Sequence, residues 1–301
     1  MKIHFIGVGE RIMGDLAATL NQQGHTVTGS DISFAKATLH GLERAMLMPQ
    51  QPGWFPEKIQ PGLDKVIVGR QVHPDNPELK AAQQLGLPIY SYPEYIEDYA
   101  QDKQRIVIIG GEEKHWLCLL VVHTLGYLYQ SFDYVVDSAR LNTSVQLSDA
   151  PVIILEGDVD PSSSIDAQPQ SLHYQHNIVV ISGIDQENSS RYPTLEAYLE
   201  QVTKLADASP KGGTLIYYEG DPLIKTIGNP TRTDVKAVPY QNHPHRIEKN
   251  IVHLSTPQGD IPLQHTTAIT CAVAGARQLL RNLAIQENSF YEALNTFSWQ
   301  V

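Results

Sequence analysis

A chain of 301 residues is long for one hydrophobic core and suits two domains. Its net charge of −11, with no Lys/Arg cluster, excludes nucleic acid and anionic membrane as partners, since both require basic patches. Cys118 and Cys271 are the only cysteines, far apart and each inside an apolar helical pattern, so they read as core thiols in a reducing compartment.

The chain opens directly on the strand-like Ile3-His4-Phe5-Ile6 and has no apolar stretch near the roughly 20 residues of a membrane span, which points to the cytoplasm. A helix over Arg11 to Gln23, a strand over HTVTGSD and a strand at 66–69 follow. The next helix has Asn76 as N-cap, Pro77 at its first position and Gly86 just past its end. Strands alternating with helices make a parallel, doubly wound sheet, so residues 1–102 read as a Rossmann-like α/β domain. Gly7-Val8-Gly9 begins a dinucleotide fingerprint, but Ile12 stands where the third glycine belongs; a tight turn without ligand explains it as well. The candidate ligand-binding residues here are Gly7, Gly9, Arg11, Met13, Ser30 and Asp31. Arg11 offers a cation to a diphosphate, and Asp31 ends the second strand where an acid meets a ribose or merely caps a helix.

The second domain, residues 103–301, is organised around IVIIGGEEKHWLCLLVVH at 106–123. An apolar strand, a turn at Gly110-Gly111 and a helix carrying Lys114 have the layout of a phosphate-binding loop, in which backbone N–H groups and the positive helix end hold phosphate. Glu112 and Glu113 stand where phosphate oxygens would sit, and His115-Trp116 replace hydroxyl residues that would hold Mg²⁺. Each carboxylate would repel a nucleotide by about 1 kcal/mol per charge pair in water, and by several times that when partly buried. Strands at 152–155 and 178–181 deliver Glu156, Asp158 and Asp185 at their C-terminal ends, the ligand edge of an open α/β sheet. A helix from about Pro193 to Ala208, a strand at 214–218, a hairpin around 256–259 and helices at 268–283 and 287–296 complete the chain. Twelve histidines include His243, His245, His253 and His265, but none has metal-ligand spacing.

Taken together, these segments resemble the Mur ligase family, ATP-dependent enzymes that add amino acids or peptides to UDP-N-acetylmuramate in bacterial cell-wall synthesis and recycling. HFIGVGERIMGDLAATLNQQGHTVTGSD, DNPELKAAQQLGLPIYSYPEYI, SPKGGTLIYY and FYEALNTFS carry the likeness along nearly the whole chain. It implies a Rossmann-like UDP-sugar-binding domain followed by a P-loop-like ATPase domain, with ATP and Mg²⁺ as the family's cofactors.

The departures fall on the chemistry. The family's G-T-H-G-K-T-T loop corresponds to Gly110–Trp116, leaving the first glycine and Lys114. Its acidic metal motif reads Glu156-Gly157-Asp158-Val159, its D-H pair reads Glu187-Asn188, and the asparagines of its adenine segment are missing at 268–272. Glu10 and Asp15 take two glycine positions of the first loop, and the family's third domain is expected to be absent. Lys114, Glu156, Asp158, Glu187 and Asn188 are thus remnant positions. The reading is a non-catalytic homologue with no cofactor and no metal, kept for binding or assembly, through self-association or a cell-wall ligase. An ATP-dependent ligase whose third domain comes from elsewhere, a UDP-sugar sensor and a nicotinamide oxidoreductase are the alternatives. The terminal aromatics Phe290, Tyr291, Phe297 and Trp299 are expected to anchor the interface, or else to pack the last helix onto its own core.

Overall fold

The computed structural model describes residues 1–34, 36–185, 192–228, 232–249, 251–263 and 268–299, the side chains of Ala37 and His40 excepted. They form two compact units: Met1–Asp102 with Asp133–Asp149 and Asp160–Tyr174, and Lys103–Phe132 with Ala150–Val159 and Gln175–Val301. The sequence suggests a single boundary between residues 102 and 103; two later segments also belong to the first unit. One of them is tied to the first helix, where Asp15 Oδ2 accepts from Ser144 N at 2.6 Å and Thr19 Oγ1 donates to Val145 O at 3.2 Å.

In the first unit, β1 (Lys2–Ile6), β2 (Thr26–Ser30), β3 (Lys65–Val68) and β4 (Ile89–Ser91) form a parallel sheet in the order β2-β1-β3-β4. The helices are α1 (Arg11–Gln22), α2 (Lys36–Arg44), α3 (Pro77–Gln84) and α4 (Tyr92–Tyr99). Central β1 places Ile3, Phe5 and Ile6 wholly in the core. Met13, Leu16, Ala17 and Leu20 recur at helical spacing and bury one stripe of α1. Asn76 Oδ1 caps α3 by accepting from Glu78 N and Leu79 N at 2.9 and 3.1 Å, and Gly86 leaves the helix at φ +62°. The later segments add an antiparallel pair, β6 (Asp133–Val135) with β7 (Val145–Gln146), a hairpin of β9 (Pro161–Ser163) and β10 (Asp166–Pro169), and the short α6 (Gln170–His173).

The second unit holds the parallel strands β5 (Gln104–Ile109), β8 (Val152–Glu156), β11 (Ile178–Ile181), β12 (Thr214–Tyr218) and β13 (Lys236–Tyr240), in the order β13-β12-β11-β5-β8. Its helices are α5 (Glu112–Tyr127), α7 (Leu195–Asp207), α8 (Pro222–Gly228), α9 (Ala268–Asn282) and α10 (Glu287–Thr296). A small antiparallel sheet of β14 (His245–Glu248), β15 (Ile251–Thr256) and β16 (Gly259–Leu263) completes it. Ile106–Ile109 of β5 and Leu117–Val122 of α5 are buried apolar runs. Small residues bring α9 close to α5: a Cβ on Gly275 would meet Leu117 Cδ1 at 2.6 Å. Among the described residues no helix is long and apolar enough to cross a membrane.

Candidate functional site

In the first unit the turn between β1 and α1 opens on a cleft of about 840 Å³ lined by Gly7, Gly9, Arg11 and Asp31, with Trp54, His73 and Asn76 opposite. Gly7 has φ +88° and donates its N–H to Ser30 O at 2.9 Å; at Gly9 a Cβ would lie 1.9 Å from Ser33 O. Both positions require glycine. The first-turn N–H groups of α1 have no intrahelical acceptor, and neither the Glu10 side chain nor an acid in the first turn caps them. The positive helix end therefore faces the cleft beside Arg11, whose Nε lies 3.5 Å from Asp137 Oδ1.

Two carboxylates are bound into the walls. Asp31 Oδ2 accepts from Gly9 N at 2.8 Å, and its Oδ1 accepts from Ile32 N and Ser33 N at 2.7 and 3.2 Å. Asp31 thus holds the β1–α1 turn as well as its own loop. Glu10 Oε1 accepts from Gln71 N at 3.1 Å. Burial pushes the Glu10 carboxyl above its usual value, and the charge of Asp31 adds to the rise against the Gln71 hydrogen bond. Of the other candidates, Met13 lies in the α1 core stripe and Ser30 is buried with its hydroxyl accepting from Lys58 Nζ at 3.2 Å. Neither lines the cleft.

In the second unit β5 ends at Ile109, the chain turns at Gly110-Gly111 and α5 begins at Glu112; the Glu113 carboxylate folds back onto this turn. Its Oε1 accepts from Gly111 N at 2.8 Å and from Ser182 Oγ at 3.0 Å. The fit leaves no spare room: a Cβ on Gly183 would lie 2.1 Å from that oxygen, and one on Gly110 would lie 2.1 Å from Ser182 Oγ. Lys114 donates from Nζ to Gly157 O at 3.1 Å, joining the turn to the loop after β8. His115 Nδ1 stands 3.6 Å from Glu156 Oε1, and half-buried Asp158 follows on the same loop. Glu112 is exposed. Glu187 and Asn188 lie outside the described residues.

Trp116 packs against Phe297 and Trp299, with ring centroids 6.2 and 5.9 Å away. Phe290 and Tyr291, by contrast, are 1% and 2% exposed and belong to the core of α10. His243 is buried; its ring meets Pro244 O at 2.9 Å and Tyr291 OH at 3.0 Å, and burial lowers its pKa. His265 lies outside the described residues, and among those described no cluster of His, Cys, Asp or Glu could hold a metal. Ser182 and Trp54 escaped the sequence reading: each is far along the chain from the turn it serves.

Residues 2–104 match a family model described as Mur ligase family, catalytic domain. Among curated relatives, the UDP-N-acetylmuramate–L-alanyl-gamma-D-glutamyl-meso-2,6-diaminoheptandioate ligase of Escherichia coli (strain K12) is 24% identical over 75% of this chain and 50% of its own length. The UDP-N-acetylmuramate–L-alanine ligase of Desulfosudis oleivorans is 28% identical over 78% and 52%. The chain spans about half the length of the curated relatives it matches. Among solved structures, the UDP-N-acetylmuramate:L-alanyl-gamma-D-glutamyl-meso-diaminopimelate ligase from Neisseria meningitides superposes with a TM-score of 0.85 at 16% identity, covering 100% of this chain and 98% of that one. By sequence and by fold, the chain is a homologue of the Mur ligases.

Proposed function

We propose that this chain is a non-catalytic relative of the peptidoglycan-precursor ligases, a pseudoenzyme in which residues 103–301 keep an ATPase-type body without its cofactors. The observation that carries the reading is the Glu113 carboxylate, held by Gly111 N and Ser182 Oγ at the glycine turn. A carboxylate at a helix N-terminus satisfies the same donors and the same dipole that a phosphate would. Lys114 is turned to Gly157 O, and His115 and Trp116 stand in the places of hydroxyl ligands. These residues do not fit a nucleoside triphosphate with Mg²⁺, because bringing γ-phosphate charge beside Glu113 would repel it in a partly buried site. Titration calorimetry with ATP-Mg²⁺, and ADP release with UDP-N-acetylmuramate and alanine, test this. No heat and no ADP above a buffer control are expected; micromolar binding or turnover would favour instead a ligase completed by another chain.

A second reading is favoured by the first unit: residues 1–102 bind a UDP-sugar without turning it over, as a sensor. Its support is the uncapped positive end of α1 beside Arg11, opening on a cleft large enough for such a ligand. Glu10 and Asp31 oppose it by charge, although both are engaged with backbone N–H groups. Assembly with a second copy or with a cell-wall ligase in the cytoplasm fits a retained fold with an altered ligand edge. Of the four terminal aromatics, Phe297 and Trp299 are the pair that a partner could reach.

A further inference from the structure

The Glu10 side chain joins the turns that follow β1 and β3. From the N-cap of α1 it reaches across to the second turn, where Oε1 accepts from Gln71 N at 3.1 Å. Gly69 makes the room: a Cβ there would lie 3.0 Å from the same oxygen. Glu10 therefore lines the cleft beside the uncapped N-terminus of α1, next to Arg11. An anion drawn to that helix end meets this carboxylate as well.

Charged groups approach Glu10 from each element that borders the cleft: Asp31 at the end of β2, Arg70, His73 and Asp75 in the loop between β3 and α3, Arg11 on α1, and Asp137 after β6. Asp31 is compensated by the N–H groups of Gly9, Ile32 and Ser33, Asp75 by Lys80 Nζ at 2.7 Å, and Asp137 by Arg11 Nε at 3.5 Å. Arg70 is turned to another acid, its Nη2 lying 3.1 Å from Asp160 Oδ2. Glu10 is pushed towards its neutral form by burial and by the Asp31 charge, with the Gln71 hydrogen bond acting against them.

We propose that the cleft takes up a proton from solvent together with its anionic ligand, and that the Glu10 carboxyl receives it. The inference rests on the reading of the first unit as a UDP-sugar site and adds the regulation of that site. The charges of a diphosphate diester oppose an ionised Glu10, whereas a protonated Glu10 offers an O–H donor to a phosphate oxygen. Because a proton enters with the ligand, binding strengthens as pH falls, by up to about tenfold per pH unit. Glu10 thus restricts the cleft at alkaline pH and admits the ligand in mild acid.

The test is calorimetric titration of the whole chain with UDP-N-acetylmuramate at about pH 6 and about pH 8, each in two buffers of different ionisation enthalpy. The ligand's diphosphate and carboxylate are fully ionised at both, so a proton exchanged on binding belongs to the protein. For the parent, the heats should differ between buffers in the sense of proton uptake, and binding should be about tenfold tighter at the lower pH. Glu10→Gln keeps an acceptor for Gln71 N and removes the titrating charge, so it should bind about equally at both pH values without uptake. His73→Gln, which removes the imidazole on the cleft, should retain the uptake. Binding by the parent without uptake, uptake that persists in Glu10→Gln, or uptake that disappears in His73→Gln overturns the proposal and leaves the UDP-sugar reading in place. No saturable heat from parent or Glu10→Gln at either pH overturns both.

Discussion

Glu78 Oε2 lies 3.3 Å from His4 Nε2, with neither side chain exposed to solvent. Glu78 Oε1 accepts from Phe55 N at 2.6 Å, and His4 Nδ1 is 2.8 Å from Thr28 Oγ1, so β1, β2, α3 and the 53–55 segment meet at one buried pair. The Asn76-Pro77 cap sets the start of α3 and thereby aims Glu78 inward. Burial alone would raise the Glu78 carboxyl, but the hydrogen bonds from His4 and Phe55 N outweigh it, and Glu78 sits below its ordinary 4.5.

A depressed carboxyl binds protons less tightly folded than unfolded. Its stabilisation is therefore present above 4.5 and lost as pH falls through the folded value. Glu78→Gln should lower the unfolding free energy by about 3 kcal/mol at neutral pH, the cost of breaking a buried pair, and by less in acid. Urea unfolding at both pH values measures this. Equal stability of variant and parent at neutral pH would mean that the pair contributes nothing.

Glu10 shifts the other way. With its folded value above 4.5, the folded state binds the proton more tightly, so its contribution is full below 4.5 and is lost as pH rises through the folded value. Glu10→Gln keeps an acceptor for Gln71 N and removes the charge. A modest rise in Tm at mildly alkaline pH is expected, vanishing in acid; thermal scans at the two pH values that show no difference would contradict it.

The terminal aromatics divide by burial. Phe290→Ala should cost about 3–5 kcal/mol, as expected for a fully buried ring, whereas Trp299→Ala on its partly exposed platform should cost about 1 kcal/mol. Denaturant midpoints report both. Similar losses for the two would place Trp299 in the core.

If the cleft binds a UDP-sugar, Arg11→Ala should weaken binding of UDP-N-acetylmuramate about tenfold, through loss of one charge-assisted contact. Calorimetry with parent and variant decides; no binding by the parent removes the sensor reading and leaves that of the second unit untouched.

The elements legible in the sequence were those with strong local signals, such as α3 with its Asn76-Pro77 start and Gly86 stop, or the apolar runs of β5 and β11. Strand β13 is not legible in the sequence, since Pro239 argues against a strand; the sheet order puts it at an edge, where the missing N–H is tolerated. The polar β14 and the Ser/Asp-rich β9–β10 hairpin carry little periodicity. Interior Gly41 weakens the helical signal of α2. At the sites, sequence placed Glu113 in the turn but could not show its reach to Ser182, 69 residues away. Met13, expected beside a ligand, follows the buried stripe of α1 instead, because a residue two positions into a helix faces whichever side the stripe dictates.

If Glu113 takes the place of phosphate, calorimetric titration of inorganic pyrophosphate separates the parent from Glu113→Gly. The parent should give no saturable heat, and the variant should bind with Gly111 N released; adding Glu112→Thr and His115→Thr should strengthen the binding. Saturable binding by the parent, or a folded variant that still ignores pyrophosphate, would contradict the account.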